Sequence, residues 1–183
     1  MNRDDILQAI KANVKNENLI KHMLATEAIM RALAQHFGED EEAWSLTGLI
    51  HDIDVERSEN DMTIHGKLGA QLAEELGCSE TMRHAVLAHN EALGFSRETL
   101  LDKALYCTDP LTGLITAGAL IRPDKRLAEL SVKSLKKRFK EKSFAAGANR
   151  EQIALCSEIG LDLDEFMGIG IEAMKGISED IGL

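Results

Sequence analysis

Apolar residues recur along this chain every three or four positions, broken by polar clusters, and no stretch alternates at the period of two that a strand requires. Asp4 or Asp5 can start a short helix carrying Ile6, Leu7, Ile10 and Val14. Asn16 or Asn18 can cap a longer one whose apolar stripe runs from Leu19 and Ile20 through Met30 and Leu33 to Phe37, with Gly38 as its stop. A third segment, Ala43 to Ile50, leads into His51 and Asp52. The polar run DVERSENDM, from Asp54 to Met62, predicts a loop. Thr63 opens the next predicted helix, with Ile64, Leu68, Leu72 and Leu76 on one side and Gly77 at its end; Ser79 caps another. Ser96 opens a segment carrying Leu100, Leu101, Ala104 and Leu105. Asp109 before Pro110 has the order of an N-cap and a first helical residue. Further helices are predicted around 125–130, 131–141, 149–159 and 162–177, the last opening with Asp162 and Glu165 at capping-box spacing. The reading is all-α: a single compact multi-helix bundle over residues 1–183.

Composition narrows the setting. A chain of 183 residues suits one domain. The net charge of -10 repels nucleic-acid polymers and anionic membranes. The N-terminal MNRDDILQAI lacks the apolar core of a signal peptide, and no window has the length of a membrane span. Cys78, Cys107 and Cys156 are odd in number and far apart, as expected of reduced thiols in a cytoplasmic protein. One segment departs from the acidic balance: residues 122–142 hold nine basic side chains against three acidic ones. A solvated helix face explains it most simply; a phosphate-attracting rim is the functional alternative.

The chemistry concentrates in histidines and carboxylates. Helical phase puts His89 on the face of Met82, Ala85 and Val86, pointing inward, and His84 off that face beside Arg83. His22 shares a stripe with Leu19, Ile29 and Leu33 and is expected half-buried. His36 sits in the last turn before Gly38, where a histidine meets the helix dipole favourably. His65 falls in the first turn of its predicted helix, at the edge of the core. Any one of these is most simply a core histidine. His22, His51, His65 and His89 together, with Asp52 and Asp109, form a set of imidazole and carboxylate donors suited to Mn, Fe, Ni, Co or Zn. Their wide spacing requires a site assembled from several helices.

The order His22, His51-Asp52, Asp109 resembles the HD-domain superfamily of metal-dependent phosphohydrolases, over about residues 15–115. The HDID here is similar to the HDIG subgroup, with Asp54 where that motif has glycine. His65 in TIHGKLGA and His89 in LAHNE resemble the two extra histidines of its binuclear members. The resemblance implies one divalent ion held by His22, His51, Asp52 and Asp109, and a second by His65, His89 and Asp52. Asp52 would bridge, and Asp52 with His51 would form the catalytic centre. It implies hydrolysis of a small phosphate ester, of which a nucleotide is one candidate. Alternatives are a mixed-valent di-iron oxygenase of a small organic substrate and a non-catalytic metal-binding helical module. The Gly-Tyr-Pro signature of the cyclic-dinucleotide phosphodiesterase branch is absent. Asp54, Glu56 and Glu91 are candidates to orient the ligating histidines, and the sequence does not rank them.

Two patterns mislead. GIGIEA, from Gly168 to Ala173, matches a dinucleotide fingerprint but has no strand before it. CTDPLTG offers Cys107 no nearby histidine, so Cys107 reads as core.

Overall fold

The computed structural model describes residues 2–59 and 61–183, and among these there is no strand. The helices are α1 (Arg3–Asn13), α2 (Glu17–Phe37), α3 (Glu41–Ile50), α4 (Lys67–Glu75), α5 (Glu80–Ala88), α6 (Leu100–Leu120), α7 (Val132–Phe139), α8 (Arg150–Ala154), α9 (Leu163–Lys175) and α10 (Ser178–Ile181). Short 3₁₀ turns cover Glu91–Leu93 and Leu155–Ile159. The helix starts follow capping chemistry. Asn16 accepts from the Asn18 N–H, Asp40 from Glu42 and Ala43, Ser79 from Met82 and Asp162 from Glu165. Asn2 with Asp5 and Thr99 with Asp102 form reciprocal capping boxes, so α1 and α6 begin at residues other than Asp4 or Ser96.

Three expectations are corrected. Asp109 is no N-cap: Pro110 lies inside the 21-residue α6. Proline in a helix interior removes one N–H and costs about 3 kcal/mol or more. The apolar period runs straight through it, and Leu105, Leu111, Leu114 and Ile115 are all fully buried, which outweighs that cost at about 1.5–3 kcal/mol per side chain. The carbonyl of Tyr106, which Pro110 leaves without its helical partner, accepts instead from Gln152 Nε2 at 2.7 Å. The helix predicted from Thr63 starts later, at Lys67, because Asp61 takes the Thr63 N–H and hydroxyl into a local turn. Residues 125–130 form turns rather than a helix.

Two apolar clusters flank α2. One joins Ile6 and Ile10 of α1, Leu46 and Leu49 of α3, and Met82 and Val86 of α5 to Met23. The other joins Ile29 and Leu33 on α2 to α6 and to the C-terminal helices, through Phe166 and Met167 among others. Close backbone approach sets two of these contacts. A Cβ on Gly48 would lie 2.9 Å from the Thr26 carbonyl, so α3 presses directly on α2. A Cβ on Gly170 would lie 2.9 Å from Ile115 and Leu111, so the second glycine of GIGIEA serves the packing of α9 on α6. None of the described helices is long and apolar enough to cross a membrane.

Candidate metal centre

Where α2, the end of α3, the end of α5 and the middle of α6 meet, the six predicted residues converge. His22 Nε2 lies 3.1 Å from His51 Nε2, 3.3 Å from Asp109 Oδ1 and 3.5 Å from Asp52 Oδ2. His51 Nε2 is 3.5 Å from Asp52 Oδ1 and 4.0 Å from Asp109 Oδ1. On the other side, His65 Nε2 and His89 Nε2 are 3.1 Å apart, each 3.4 Å from Asp52 Oδ1. Asp52 therefore stands between two groups of donors. His22, His51 and Asp52 form one such group, and Asp52, His65 and His89 the other.

Each histidine is held by its far nitrogen. His51 Nδ1 donates to the Gly48 carbonyl at 2.8 Å and His89 Nδ1 to the Val86 carbonyl at 2.6 Å. The Thr112 hydroxyl donates to the Asp109 carbonyl at 2.8 Å, so its oxygen accepts from His22 Nδ1, also at 2.8 Å. Asp54 Oδ1 accepts from His65 Nδ1 at 2.9 Å. All four Nε2 atoms thus point inward. Lone pairs facing one another at 3.1 Å beside two carboxylates repel unless protons or cations lie among them. The outward Nδ1 bonds are the orienting partners that ligating histidines use, and the donor set fits a divalent transition metal.

The electrostatics follow. Burial opposes charge on His22, but hydrogen bonds and charge from Asp109 and Asp52 outweigh it and raise its pKa to about 10. Burial likewise opposes charge on His65, and Asp52 with Asp54 raises its pKa to about 10. His51, fully buried with a carbonyl on Nδ1, falls to about 4, chiefly through desolvation. Burial pushes the Asp52 carboxyl up; His51 and hydrogen bonds from His22, His65 and His89 hold it well below the usual carboxylate range. Asp109 is lowered in the same way by His22, against its own desolvation.

Of the three candidate orienting acids, Asp54 meets a ligand-set histidine. It is fully buried, and its Oδ2 also accepts the Gly66 and Gly69 N–H groups at 2.8 Å each. The residue that departs from the HDIG pattern thereby ties the loop to the first turn of α4. Glu56 accepts the Lys15 and Asn16 N–H groups at the start of α2, and Glu91 accepts from the Tyr106 hydroxyl. Sequence reasoning missed Thr112, which lies three residues after Asp109 and bears no motif. It also missed Asn90, whose amide nitrogen bonds the Met62 and His65 carbonyls at 2.8 Å each and so fixes the turn that carries His65. His84 pairs with Asp102 and His36 is exposed, both outside the centre.

A cleft of about 380 Å³ opens beside the centre, lined by Asp52, His65, His89 and Asp109 and by Tyr106 and Gln152. No lysine or arginine lines it, and none of the basic residues in 122–142 reaches it.

Comparison with known proteins agrees with this geometry. Ribonuclease Y of Sulfurovum sp. is 26% identical over 169 residues, which is 90% of this chain and 33% of that protein. Ribonuclease Y of Thermoanaerobacter pseudethanolicus is 28% identical over 167 residues, again 90% and 33%. Ribonuclease Y of Oleidesulfovibrio alaskensis is 30% identical over 76 residues, 42% of this chain and 15% of that protein. The chain spans about a third, or less, of the length of these relatives. No solved structure gives a significant match. The HD-domain family profile matches residues 19–113, a span that contains all six converging residues, and the chain belongs to the HD-domain family.

Proposed function

We propose that this chain is a metal-dependent phosphohydrolase of nucleotide-type phosphate esters, working from a binuclear centre. The observation that carries the reading is the inward orientation of four imidazole Nε2 atoms around Asp52, each fixed by an acceptor on Nδ1. In this reading His22, His51, Asp52 and Asp109 hold one ion, and His65, His89 and Asp52 the other. Divalent ions there would supply Lewis-acid charge for a phosphoryl oxygen and lower the pKa of water toward neutrality. The protein's own part is positional. Asp52 offers one carboxylate to both groups, Asp54 and Thr112 hold His65 and His22 in their working tautomers, and the cleft admits the ester beside them. The Ribonuclease Y relatives support a phosphodiester within the substrate class. Residues 1–183 act as one domain here, because Gln152, from the segment after the matched region, lines the same cleft.

Element-resolved stoichiometry of untagged protein purified without chelator tests the centre, followed by oxygen-independent hydrolysis of bis-p-nitrophenyl phosphate. The expected result is about two ions per chain, the number a two-metal site requires, with turnover. Iron accompanied by substrate-dependent oxygen consumption would replace this reading with the oxygenase one. Binding without turnover on any phosphate ester would leave a metal-binding module.

A further inference from the structure

The cleft beside the centre carries Asp52, Asp109 and Glu91 among its lining residues, with His65 and His89 but no lysine or arginine. Arg97, which is not itself a lining residue, stacks on one of the lining side chains, Tyr106. Its guanidinium carbon lies 3.9 Å from the centroid of the Tyr106 ring. Tyr106 is a rigid support. Its carbonyl accepts from Gln152 at 2.7 Å, its hydroxyl donates to Glu91 at 3.2 Å, and it is 5% exposed. Arg97 itself makes no hydrogen bond or ion pair with any described residue, in a chain carrying 31 acidic side chains against 21 basic ones. Five of the eight other arginines are tied to carboxylates: Arg3 and Arg31 to Glu27, Arg83 to Glu74, Arg122 to Asp124 and Arg138 to Glu141. A guanidinium that rests over a ring and makes no other bond keeps its fork of five donors free, which suits bidentate contact with phosphate.

Its place relative to the centre decides which phosphate. Tyr106 lines the cleft together with Asp109 and the two histidines, whereas Arg97 rests on Tyr106 and lies outside that lining. That is too far out for the phosphate being cleaved between the ligand groups, and suited to a neighbouring one on the same substrate. We infer that Arg97, braced on Tyr106, is the binding residue for a second, non-scissile phosphate, so that the substrate is a nucleotide chain or nucleoside polyphosphate rather than a monophosphate. The inference rests on the phosphohydrolase reading for its first phosphate, and Arg97 acts on substrate binding, not on the bond broken.

The test compares metal-loaded wild type, Arg97→Ala and Arg97→Lys on bis-p-nitrophenyl phosphate, which has one phosphate, and on a 5′-phosphorylated dinucleotide, which has two. Charge-assisted hydrogen bonds contribute about 1.5–3 kcal/mol, so Arg97→Ala should reduce the KM preference for the two-phosphate substrate about tenfold or more. Arg97→Lys should recover part of it, since lysine keeps the charge and loses the fork. An unchanged ratio, or a parallel loss on both substrates, overturns the inference. Adenosine diphosphate as competitor separates the two sources: protection that depends on Arg97 points to a polyphosphate, and its absence, with the dinucleotide effect intact, to a nucleotide chain. Should wild type hydrolyse neither compound, the phosphohydrolase reading fails by itself. Anisotropy of a dye-labelled dinucleotide then judges Arg97 alone, with at least tenfold weaker binding by Arg97→Ala expected and equal binding overturning it.

Discussion

The two halves of the centre are built differently. His22 and Asp109 stand in the interiors of α2 and α6, each 21 residues long, with full turns of helix on either side. His65 sits in a turn before α4, and His89 is the residue at which α5 ends. The first pair inherits its placement from packing: Gly48 lets α3 press on α2, and the second apolar cluster clamps α2 to α6. The second pair inherits its placement from polar bonds, through Asp54, Asn90 and the Val86 carbonyl. A helix interior is fixed by many apolar contacts, each replaceable. A turn is fixed by a few hydrogen bonds, each of which matters individually.

That difference can be broken or sharpened by measurement. The largest effect is expected from Asp52→Ala, which serves both halves: metal content should fall to background and hydrolysis with it. Retention of a full complement of metal by a folded Asp52→Ala protein would show the two halves to be independent. Next comes Asp54→Ala, which strips the acceptor from His65 and leaves the Gly66 and Gly69 N–H groups without theirs. A loss of about 10–100-fold in metal affinity is expected, confined to one of two ions, with metal titration reading the two sites separately. Thr112→Val should act on the other half and less severely, about tenfold, because packing still holds His22 on α2; equal losses from both variants would erase the contrast.

Gln152→Leu probes the proline in α6. It leaves the Tyr106 carbonyl unpaired, at about 1–3 kcal/mol, so the melting temperature should drop by several degrees while the His65 half keeps its ion. An unshifted melting curve would mean that water serves that carbonyl equally well. The smallest effect is one of pH. His22 and His65 have pKa values raised from 6.5 to about 10. Their charged forms therefore stabilise the metal-free fold fully below pH 6.5, and that stabilisation is lost as pH rises toward 10. Chelator-treated protein should soften across that window. Metal-loaded protein should not, since ligating imidazoles are already neutral. A flat melting profile for the stripped protein would argue against the carboxylate–imidazole contacts.

Much of this was legible beforehand because it is local. The apolar period along α2, the caps at Asn16, Ser79 and Asp162, and the inward phase of His89 depend on residues within a turn or two of one another. The errors also have a local origin. Asp109-Pro110 has the form of a helix start, and Thr63 of another; neighbouring residues alone do not reveal that α6 is buried on both sides of its proline, or that Asp54 reaches across to cap α4. Asp54, Glu56 and Glu91 were equivalent as sequence, and only their distances separated an orienting acid from a helix cap and a tyrosine acceptor.

By itself, then, the order of residues determined the helical class, several helix starts and six candidate donors, because period, capping and ligand chemistry are properties of side-chain type and spacing. Tertiary structure decided that those side chains meet, that Asp52 lies between two groups, that Thr112 and Asp54 bond the far nitrogens of His22 and His65, and that Arg97 stacks on Tyr106. Each of these depends on which long-range apolar contacts bring distant segments within hydrogen-bonding reach, and no local pattern encodes that distance.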